Sequence, residues 1–341
     1  MKTIEVQIIS NIPHVSQILC GFNALKRSKK YDVTFKSLLS SNEYSEYSDM
    51  SVVRVLYDGK VIIYDLLDGY LGTDRMVSLL KGCDLYFKRS YSSTKNAVIP
   101  EELRKKIFPL GFNYHLTYKG CPLNDSLVKA MLKFLLGKES MNSFTKERFE
   151  EKAEMPKSDP KILFLTRLWD PSECSDEHKD ERIKINADRI ALIKALKEKY
   201  GKNATAGISD SPFSRAVAPD LIMDGSYTKR KNYLKLLHES DICIASTGLH
   251  GSIGWKTAEY VAAAKAIVSE RLVYEVTGDF EEGKNYLSYS TPEECIAAVD
   301  RLYNDPYAIF EMKRANEEYY RLYLSPEALV ENTLRIADTT I

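Results

Sequence analysis

The stretch that decides the fold runs from Asp241 to Leu272 and reads DICIASTGLHGSIGWKTAEYVAAAKAIVSERL. It opens with a short apolar run that is typical of a strand buried on both faces of a parallel sheet. A loop with three glycines follows at residues 246–254. The spacing of apolar residues then predicts a helix from Trp255 to Ala264, before a second buried strand at residues 266–269. Strand, glycine loop, helix and strand make half of a doubly wound α/β domain, whose ligand binds at the carboxyl ends of the strands.

We expect the glycine loop to bind an anionic ligand. Small residues let the backbone approach a ligand, and the free amides at the start of the following helix favour negative charge. Glu259 lies in the first turns of that helix, where its carboxylate could accept hydrogen bonds from the hydroxyl pair of a sugar. A plain sheet-packing unit with a flexible loop is the alternative interpretation, because glycines without a pattern are a weak signal.

Residues 258–268, AEYVAAAKAIV, resemble the donor-sugar loop of GT-B glycosyltransferases, especially the retaining group 1 enzymes. The pattern of that family is a Glu, seven residues, and a second Glu inside Leu-Glu-Ala-Met-Ala-x-Gly-x-Pro-Val-Val. Glu259 matches the second Glu, for which the resemblance implies a contact with the ribose of the nucleotide. Gly251, next to His250, stands in the place of the first Glu, so the donor contact made by that Glu is missing.

A second match to the family lies at the carboxyl end of the strand predicted for residues 161–166. The first strand of the family's donor domain ends in Gly-Arg-Leu, whose Arg neutralises the donor pyrophosphate. Arg167 matches that Arg, with Thr166 in place of the Gly, and a guanidinium can hold phosphate through two parallel hydrogen bonds. Three later residues are alternatives for the family's second basic residue: Lys179, Arg182 and Lys184.

The resemblance therefore implies one donor-binding set, to which we add Ser252 and Lys256 as further phosphate contacts. The predicted set is Arg167, Thr247, Gly248, His250, Gly251, Ser252, Lys256 and Glu259. No Asp-x-Asp follows a predicted strand, and cationic side chains with backbone amides can balance the charge of a leaving diphosphate. We expect neither a metal ion nor a cofactor, and the nucleotide sugar is a substrate.

The N-terminal half begins with another strand–loop–helix unit, which we expect to hold the acceptor. His14 lies in its first loop, where inverting GT-B enzymes similar to plant glucosyltransferases carry a general-base His. Asp65, at the end of a predicted strand, is our candidate to orient the imidazole, and Asp68 is the alternative. The competing interpretation of His14 is a loop histidine packed near a proline. Two further histidines are expected to be structural: His115 and His178.

The predicted fold class is α/β and GT-B-like, with two Rossmann-type domains whose parallel sheets face a central cleft. A chain of 341 residues exceeds one ordinary core. The polar segment 150–160, with two prolines, is the best linker candidate, so residues 1–155 form the acceptor domain and residues 156–323 the donor domain. The resemblance implies that a final helix, about residues 324–341, packs back on the first domain.

Two local patterns add detail to this architecture. Asp58-Gly59 between apolar runs predicts a β-hairpin in the N-terminal half. Residues 181–200 predict a long helix with one apolar stripe. The members of that stripe are Ile183, Ala187, Ile190, Ile193 and Leu196.

A helix predicted at residues 123–136 carries apolar side chains on one side and two lysines near the other. The favoured interpretation is a helix that covers the core with its lysines in solvent. The alternative is a basic amphipathic helix that gives the N-terminal domain a peripheral contact with an anionic membrane. The apolar side chains are Leu127, Met131, Phe134 and Leu135.

Composition excludes several partners. The 48 basic and 48 acidic side chains balance, so no clustered basic surplus points to nucleic acid. No apolar run is long enough to span a membrane, and the first residues lack the apolar region of a signal peptide. The six cysteines are scattered, which favours free thiols in a reducing compartment. We therefore expect a cytoplasmic protein.

The predicted function is transfer of a sugar from a nucleotide-diphosphate sugar to a glycan or lipid-linked acceptor, in glycan, capsule or cell-surface polysaccharide synthesis. Two alternatives keep the fold. The missing first Glu suggests a nucleotide-sugar-binding partner subunit without catalysis, and the similar nucleotide-sugar 2-epimerases suggest a different reaction. The same missing Glu favours inversion over retention.

Overall fold

The computed structural model describes residues 1–70, 73–136, 140, 142, 144–157, 159–227 and 229–340. Its twelve described α-helices are α1 (Ser16–Arg27), α2 (Thr73–Lys81), α3 (Ser93–Asn96), α4 (Glu101–Arg104), α5 (Leu127–Leu135), α6 (Lys179–Tyr200), α7 (Pro212–Val217), α8 (Arg230–Glu239), α9 (Trp255–Ala262), α10 (Pro292–Tyr303), α11 (Pro306–Tyr319) and α12 (Pro326–Thr339).

The first domain is built on a six-stranded sheet in the order β2-β1-β3-β4-β5-β6. The strands are β1 (Thr3–Ile8), β2 (Asp32–Ser37), β3 (Val52–Tyr57), β4 (Lys60–Asp65), β5 (Leu85–Lys88) and β6 (Ile107–Pro109). The hairpin predicted at Asp58-Gly59 joins β3 to β4, and both turn residues have positive φ, +50° and +79°. Strand β3 is antiparallel to β1 and β4, and the other described pairs in this sheet are parallel.

The second domain has a five-stranded, fully parallel sheet in the order β11-β10-β9-β7-β8. The strands are β7 (Ile162–Thr166), β8 (Ala204–Ile208), β9 (Ile242–Ala245), β10 (Ala266–Glu270) and β11 (Leu287–Tyr289). The strand predicted from Asp241 onward is β9, at the centre of the sheet, and all four of its residues are buried. Helix α9 connects β9 to β10, which confirms the predicted βαβ unit.

In its N-terminal part, helix α6 buries polar side chains and not apolar ones. The sequence predicts that Ile183 and Ala187 begin the buried stripe, but both are exposed. The buried face starts instead with Asn186 and Arg189. Asn186 is satisfied by the backbone of Trp169, to whose oxygen it donates at 2.7 Å and from whose nitrogen it accepts at 2.9 Å. This half of the predicted stripe is wrong because this end of α6 borders a polar site.

The C-terminal helix α12 returns to the first domain and packs against α1. The two helices approach closely at Gly21, where an added Cβ would lie 2.2 Å from the carbonyl oxygen of Pro326. An ion pair of 2.5 Å joins Asp338 of α12 to Lys2, which precedes β1 in the first domain. Two residues of the predicted boundaries, Ser158 in the linker and Ile341 at the end of the last helix, lie outside the described residues.

The described apolar side chains of helix α5 do not cover the core. Met131 and Leu135, which the favoured interpretation buries, are 66% and 69% exposed. The side chains of Leu127 and Phe134 lie outside the described part of the structure. The core-covering interpretation is therefore wrong for the described side chains. Among the described residues, no helix is long and apolar enough to cross a bilayer.

Candidate functional site

A cavity of about 810 Å³ lies between the two domains. One wall is formed by the carboxyl ends of β7, β8 and β9 together with the loop before α9. The opposite wall is formed by His14, Asp68 and Arg89 of the first domain. The volume is that of a site for a small organic ligand. The cavity thus occupies the position that parallel α/β sheets use for binding.

Four cationic side chains line the wall of the second domain: Arg167, Arg189, Arg230 and Lys256. Arg189 is the most buried of them, with 5% of its surface exposed. Its guanidinium donates to the carbonyl oxygens of Arg167 and Thr247, at 2.6 and 2.9 Å, and so joins the ends of β7 and β9. Burial lowers the pKa of Arg189 to about 10, which leaves the side chain charged at neutral pH.

Lys256 lies in the first turn of α9 and donates from Nζ to the carbonyl oxygen of Leu165. Burial lowers the pKa of Lys256 to about 8, and the neighbouring guanidinium groups act in the same direction. Glu259 opposes them. An anion in the cavity would favour the protonated ammonium, because opposite charges stabilise each other at short range.

Arg167 stands at the carboxyl end of β7, where the sequence places it. Its guanidinium lies over the ring of Trp169, 3.7 Å from the ring centroid. Burial lowers the pKa of Arg167 from its usual value, but the group remains a cation at neutral pH. The aromatic contact holds the guanidinium in one plane beside the cavity, where it can present two N–H donors to an oxyanion.

Glu259 is the one carboxylate on the same wall in the described part of the cavity. It is buried, and its two oxygens accept from Arg230 at 2.7 Å and from Tyr233 at 2.6 Å. Its side chain is 2% exposed and that of Arg230 is 18% exposed. Glu259 is therefore part of a buried ion pair and not a free carboxylate at a helix start.

The glycine loop closes over the start of α9. The amide of Gly248 donates to the carbonyl oxygen of Ser252 at 2.8 Å, and a Cβ at Gly248 would lie 2.5 Å from Ser252 Oγ. Within the described chain, no side chain caps the start of α9 at Gly254. Gly254, Trp255 and Lys256 all line the cavity. The open amides of this helix start thus add to the positive wall.

Six predicted donor residues line this cavity: Arg167, Gly248, His250, Ser252, Lys256 and Glu259. Two others are directed elsewhere. Thr247 donates its amide and its hydroxyl to the carboxylate of Glu270, at 2.6 Å from the amide. Gly251, with φ of +67°, packs against Val273. Thr247 and Gly251 are therefore not among the described lining residues, and their contacts support the shape of the loop.

Asp65 is not the partner of His14. It is buried inside the first domain, where it accepts from Lys88 at 2.8 Å and from Tyr86 at 2.7 Å. This ion pair and hydrogen bond use the carboxylate inside the core, so the predicted catalytic role of Asp65 is corrected. Asp68, the alternative, lines the cavity and is paired with Arg89.

His14 lies across the cavity from the cationic wall, with its ring centroid 4.9 Å from that of Trp255. Burial lowers the pKa of His14, and the Arg89 guanidinium acts in the same direction. The nearby carboxylate of Asp68 acts in the opposite direction. The imidazole is therefore neutral at pH 7 and able to accept a proton.

Sequence reasoning missed three arginines of the cavity: Arg89, Arg189 and Arg230. The candidates for the family's second basic residue lie elsewhere. Lys179 pairs with Asp176 at 2.6 Å, and Lys184 pairs with Asp188 at 2.5 Å. Arg182 donates to a backbone oxygen at 2.5 Å. The available signal for Arg189 was a cation that interrupts the apolar pattern of a long helix.

Several solved structures are similar to the chain. A glycosyltransferase from Rickettsia africae has a TM-score of 0.47 and 13% identity, over 95% of this chain and 80% of that chain. MnaA from S. aureus, solved with UDP, has a TM-score of 0.46 and 14% identity, over 100% of this chain and 98% of the MnaA chain. The C-terminal domain of LpcC, a glycosyl transferase group 1 family protein from Francisella tularensis, has a TM-score of 0.37 and 11% identity. The match covers 52% of this chain and 95% of the LpcC domain.

The prediction of two α/β domains around a central cleft is confirmed, because each domain is built on its own sheet and the cavity lies between them. A group 1 glycosyl transferase domain, that of LpcC, is among the similar solved structures. No family model and no curated protein matches the chain.

The buried pair of Glu259 and Arg230 generates a prediction about stability. Glu259→Ala should lower the free energy of unfolding by about 3–5 kcal/mol, because it removes the buried carboxylate to which both Arg230 and Tyr233 donate. The measurement is urea unfolding followed by circular dichroism. The control is Glu239→Ala, since Glu239 is 58% exposed and 3.7 Å from its lysine partner. Equal midpoints for the two variants would show that the pair does not support the fold.

Proposed function

We propose that the chain is a glycosyltransferase that moves a sugar from a nucleotide-diphosphate sugar to an acceptor hydroxyl. The observation that supports this most is the cavity between the domains, with four cations and an open helix start on one wall and His14 on the other. Glycosyl transfer needs a site for a leaving diphosphate opposite a site for the acceptor. The two walls offer these two sites.

The cationic wall is suited to the diphosphate. Arg167 and Lys256 can approach the phosphates directly, because they line the cavity next to the amides of α9. Arg189 uses two donor groups on backbone oxygens, so its charge acts mainly through space. These groups can balance the charge of the leaving diphosphate without a metal ion, which is why we propose metal-independent transfer with no cofactor.

Glu259 remains our proposed contact for the ribose. Each carboxylate oxygen can accept two hydrogen bonds, so Glu259 can hold Arg230 and Tyr233 and still accept from a ribose hydroxyl. The pair with Arg230 would then fix the carboxylate in position before the nucleotide arrives. Pre-formed polar contacts of this kind lower the entropy cost of binding.

His14 is the proposed base that takes the proton of the acceptor hydroxyl during an inverting transfer. It is the titratable imidazole that faces the cationic wall from the first domain, and its lowered pKa favours the neutral form. Asp68 is placed to stabilise the imidazolium that forms, because its charge raises the pKa of His14. Asp65 takes no part in this proposal.

Arg167→Ala tests the diphosphate site. Loss of a charge-assisted contact should weaken the binding of nucleoside diphosphates by about 1.5–3 kcal/mol, while the free nucleoside, which carries no phosphate, binds as before. Calorimetric titration with both ligands measures this. Arg182→Ala is the matched control, because Arg182 also lies near the Trp169 ring, at 5.8 Å, but is not among the described residues that line the cavity. An equal loss for diphosphate and nucleoside would mean that Arg167 acts through structure.

His14→Ala tests the mechanism. If His14 is the base, turnover should fall roughly a hundredfold or more while donor binding is preserved. The wild-type rate should be flat around neutral pH and fall only below pH 6.5, since burial lowers the pKa of His14 from 6.5. His238→Ala is the control, and NMR gives the anomeric configuration of the product. A retained anomer made at a near-normal rate by His14→Ala would eliminate His14 as the base.

We also propose that α5 carries the enzyme to an anionic membrane surface and thus to a lipid-linked acceptor. Its spacing places four exposed apolar side chains on one face: Val128, Met131, Leu132 and Leu135, exposed by 80%, 66%, 55% and 69%. Lys129 and Lys133 stand on the same helix and pair with Asp125 at 3.1 and 2.6 Å. An anionic headgroup would have to compete with this carboxylate for the two ammonium groups. Such a contact fits the synthesis of a capsule or another cell-surface glycan. The cysteines are unpaired, which supports the cytoplasmic face.

Flotation with lipid vesicles tests this contact. The wild-type chain should float with vesicles that contain anionic lipid, less so at high salt, and Leu132→Asp should stay in solution because a charge on the apolar face opposes insertion. Val98→Asp is the matched control, since Val98 is 80% exposed but lies outside α5. Equal flotation of both variants would contradict the proposal, as would a wild-type dimer that Leu132→Asp dissociates.

A further inference from the structure

Three side chains that commonly bind metals meet beside the cavity: His178, Glu181 and His250. His178 ends a short 3-10 turn, Glu181 lies in the first turn of α6, and His250 belongs to the loop between β9 and α9. One ligand atom from each side chain lies within 4.8 Å of the other two. All three residues are half-buried, so an ion from solvent can reach them.

The fold holds this cluster through its backbone. Glu181 accepts from the amide of His250 at 2.7 Å, and its second oxygen is 3.9 Å from His250 Nδ1. His250 adopts φ of +60° and ψ of +27°, a conformation that residues other than glycine rarely take. The hydroxyl of Tyr274 donates to the carbonyl oxygen of His250 at 3.1 Å. These contacts fix the backbone of His250, whose ring centroid lies 4.8 Å from that of His178.

The geometry points to a site for a divalent transition-metal ion, with Zn²⁺ as the best fit. Two imidazoles and one carboxylate are a ligand set that zinc accepts, whereas Mg²⁺ and Ca²⁺ require oxygen ligands. Ligands of a tetrahedral zinc ion lie roughly 3.4 Å apart, from bond lengths of about 2.0–2.1 Å. The ligand atoms therefore have to approach one another by up to about 1.4 Å, which changes of rotamer in partly exposed side chains can supply. The fourth position would be open to water or to a ligand.

A fourth residue supports this assignment. Oε1 of Glu177 lies 3.1 Å from Nε2 of His178. Histidines that bind metals usually donate their other ring N–H to a carboxylate or carbonyl, which fixes the tautomer and orients the ring. Glu177 can supply that carboxylate, with the other nitrogen of His178 left for the ion. Both the ligands and one orienting partner are thus present together.

A bound ion would tie the glycine loop to α6. His250 belongs to the loop that carries Gly248 and Ser252, and Glu181 begins the helix that carries Arg189. None of the three ligand residues is one of the four cationic residues of the cavity wall. This proposal therefore holds whether or not the chain transfers a sugar. The ion is expected to stabilise the folded chain, because a site formed by two separate segments exists only after folding.

The test uses the full chain, freed of metal by dialysis against a chelator, and Zn²⁺ alone without nucleotide. Calorimetry should show one zinc ion per chain, and the melting temperature should rise with zinc. Glu181→Gln and His178→Ala should each weaken zinc binding at least tenfold. Glu181→Gln retains an oxygen for the amide of His250, so it should fold. His238→Ala is the control, because His238 is similarly half-exposed and lies 3.6 Å from a carboxylate.

Co²⁺ gives a second readout, since its visible absorption reports tetrahedral coordination by nitrogen and oxygen. The wild-type chain and His238→Ala should show this absorption, and His178→Ala should lose it. A wild-type chain that binds no zinc would overturn the proposal. So would zinc binding that His178→Ala and Glu181→Gln leave unchanged, or displacement of zinc by an equal concentration of Mg²⁺.

Discussion

A surplus of positive charge at the carboxyl ends of the C-terminal strands is the constraint on which the rest of the site depends. Among the described residues of one wall of the cavity, four are cationic, namely Arg167, Arg189, Arg230 and Lys256, and Glu259 is the one carboxylate. Burial lowers the pKa of Lys256 to about 8 and that of Arg189 to about 10, which means that the surroundings of the two side chains disfavour their charges. An anion bound in the cavity would offset that penalty, because opposite charges at short range favour the protonated forms.

The glycine loop, which borders the cationic wall, also makes a contact between the two domains. Arg89, at the end of β5, is buried and bonds both to Asp68 of its own domain and to the carbonyl oxygen of Ile253 in the glycine loop. Trp255 completes the contact from the other side, against the rings of His14 and His115. The first domain therefore contacts the glycine loop directly, and helix α12 also joins the two domains by packing on α1. A change in the conformation of the glycine loop would reach His14 through these contacts.

The features that the sequence predicted correctly are those that a few consecutive residues determine. The strand, glycine loop and helix from Asp241 onward, the hairpin at Asp58-Gly59 and the position of Arg167 each follow from a few consecutive residues. Long-range pairing was not readable in the same way. Asp65 is used by Lys88 inside a core, and Arg189 enters the cavity because α6 presents its polar side there. Both outcomes depend on which elements pack against each other in three dimensions. The periodicity of apolar residues along the chain does not specify these tertiary contacts.

The most direct test of the central claim is to incubate the chain with a panel of nucleotide-diphosphate sugars and to measure released nucleoside diphosphate and the identity of the sugar. A glycosyltransferase should release nucleoside diphosphate from at least one of these donors, slowly to water and faster with a suitable acceptor. Binding without release from any donor would instead indicate a partner subunit. A sugar that changes configuration while it stays attached to the nucleotide would contradict glycosyl transfer and indicate an epimerase.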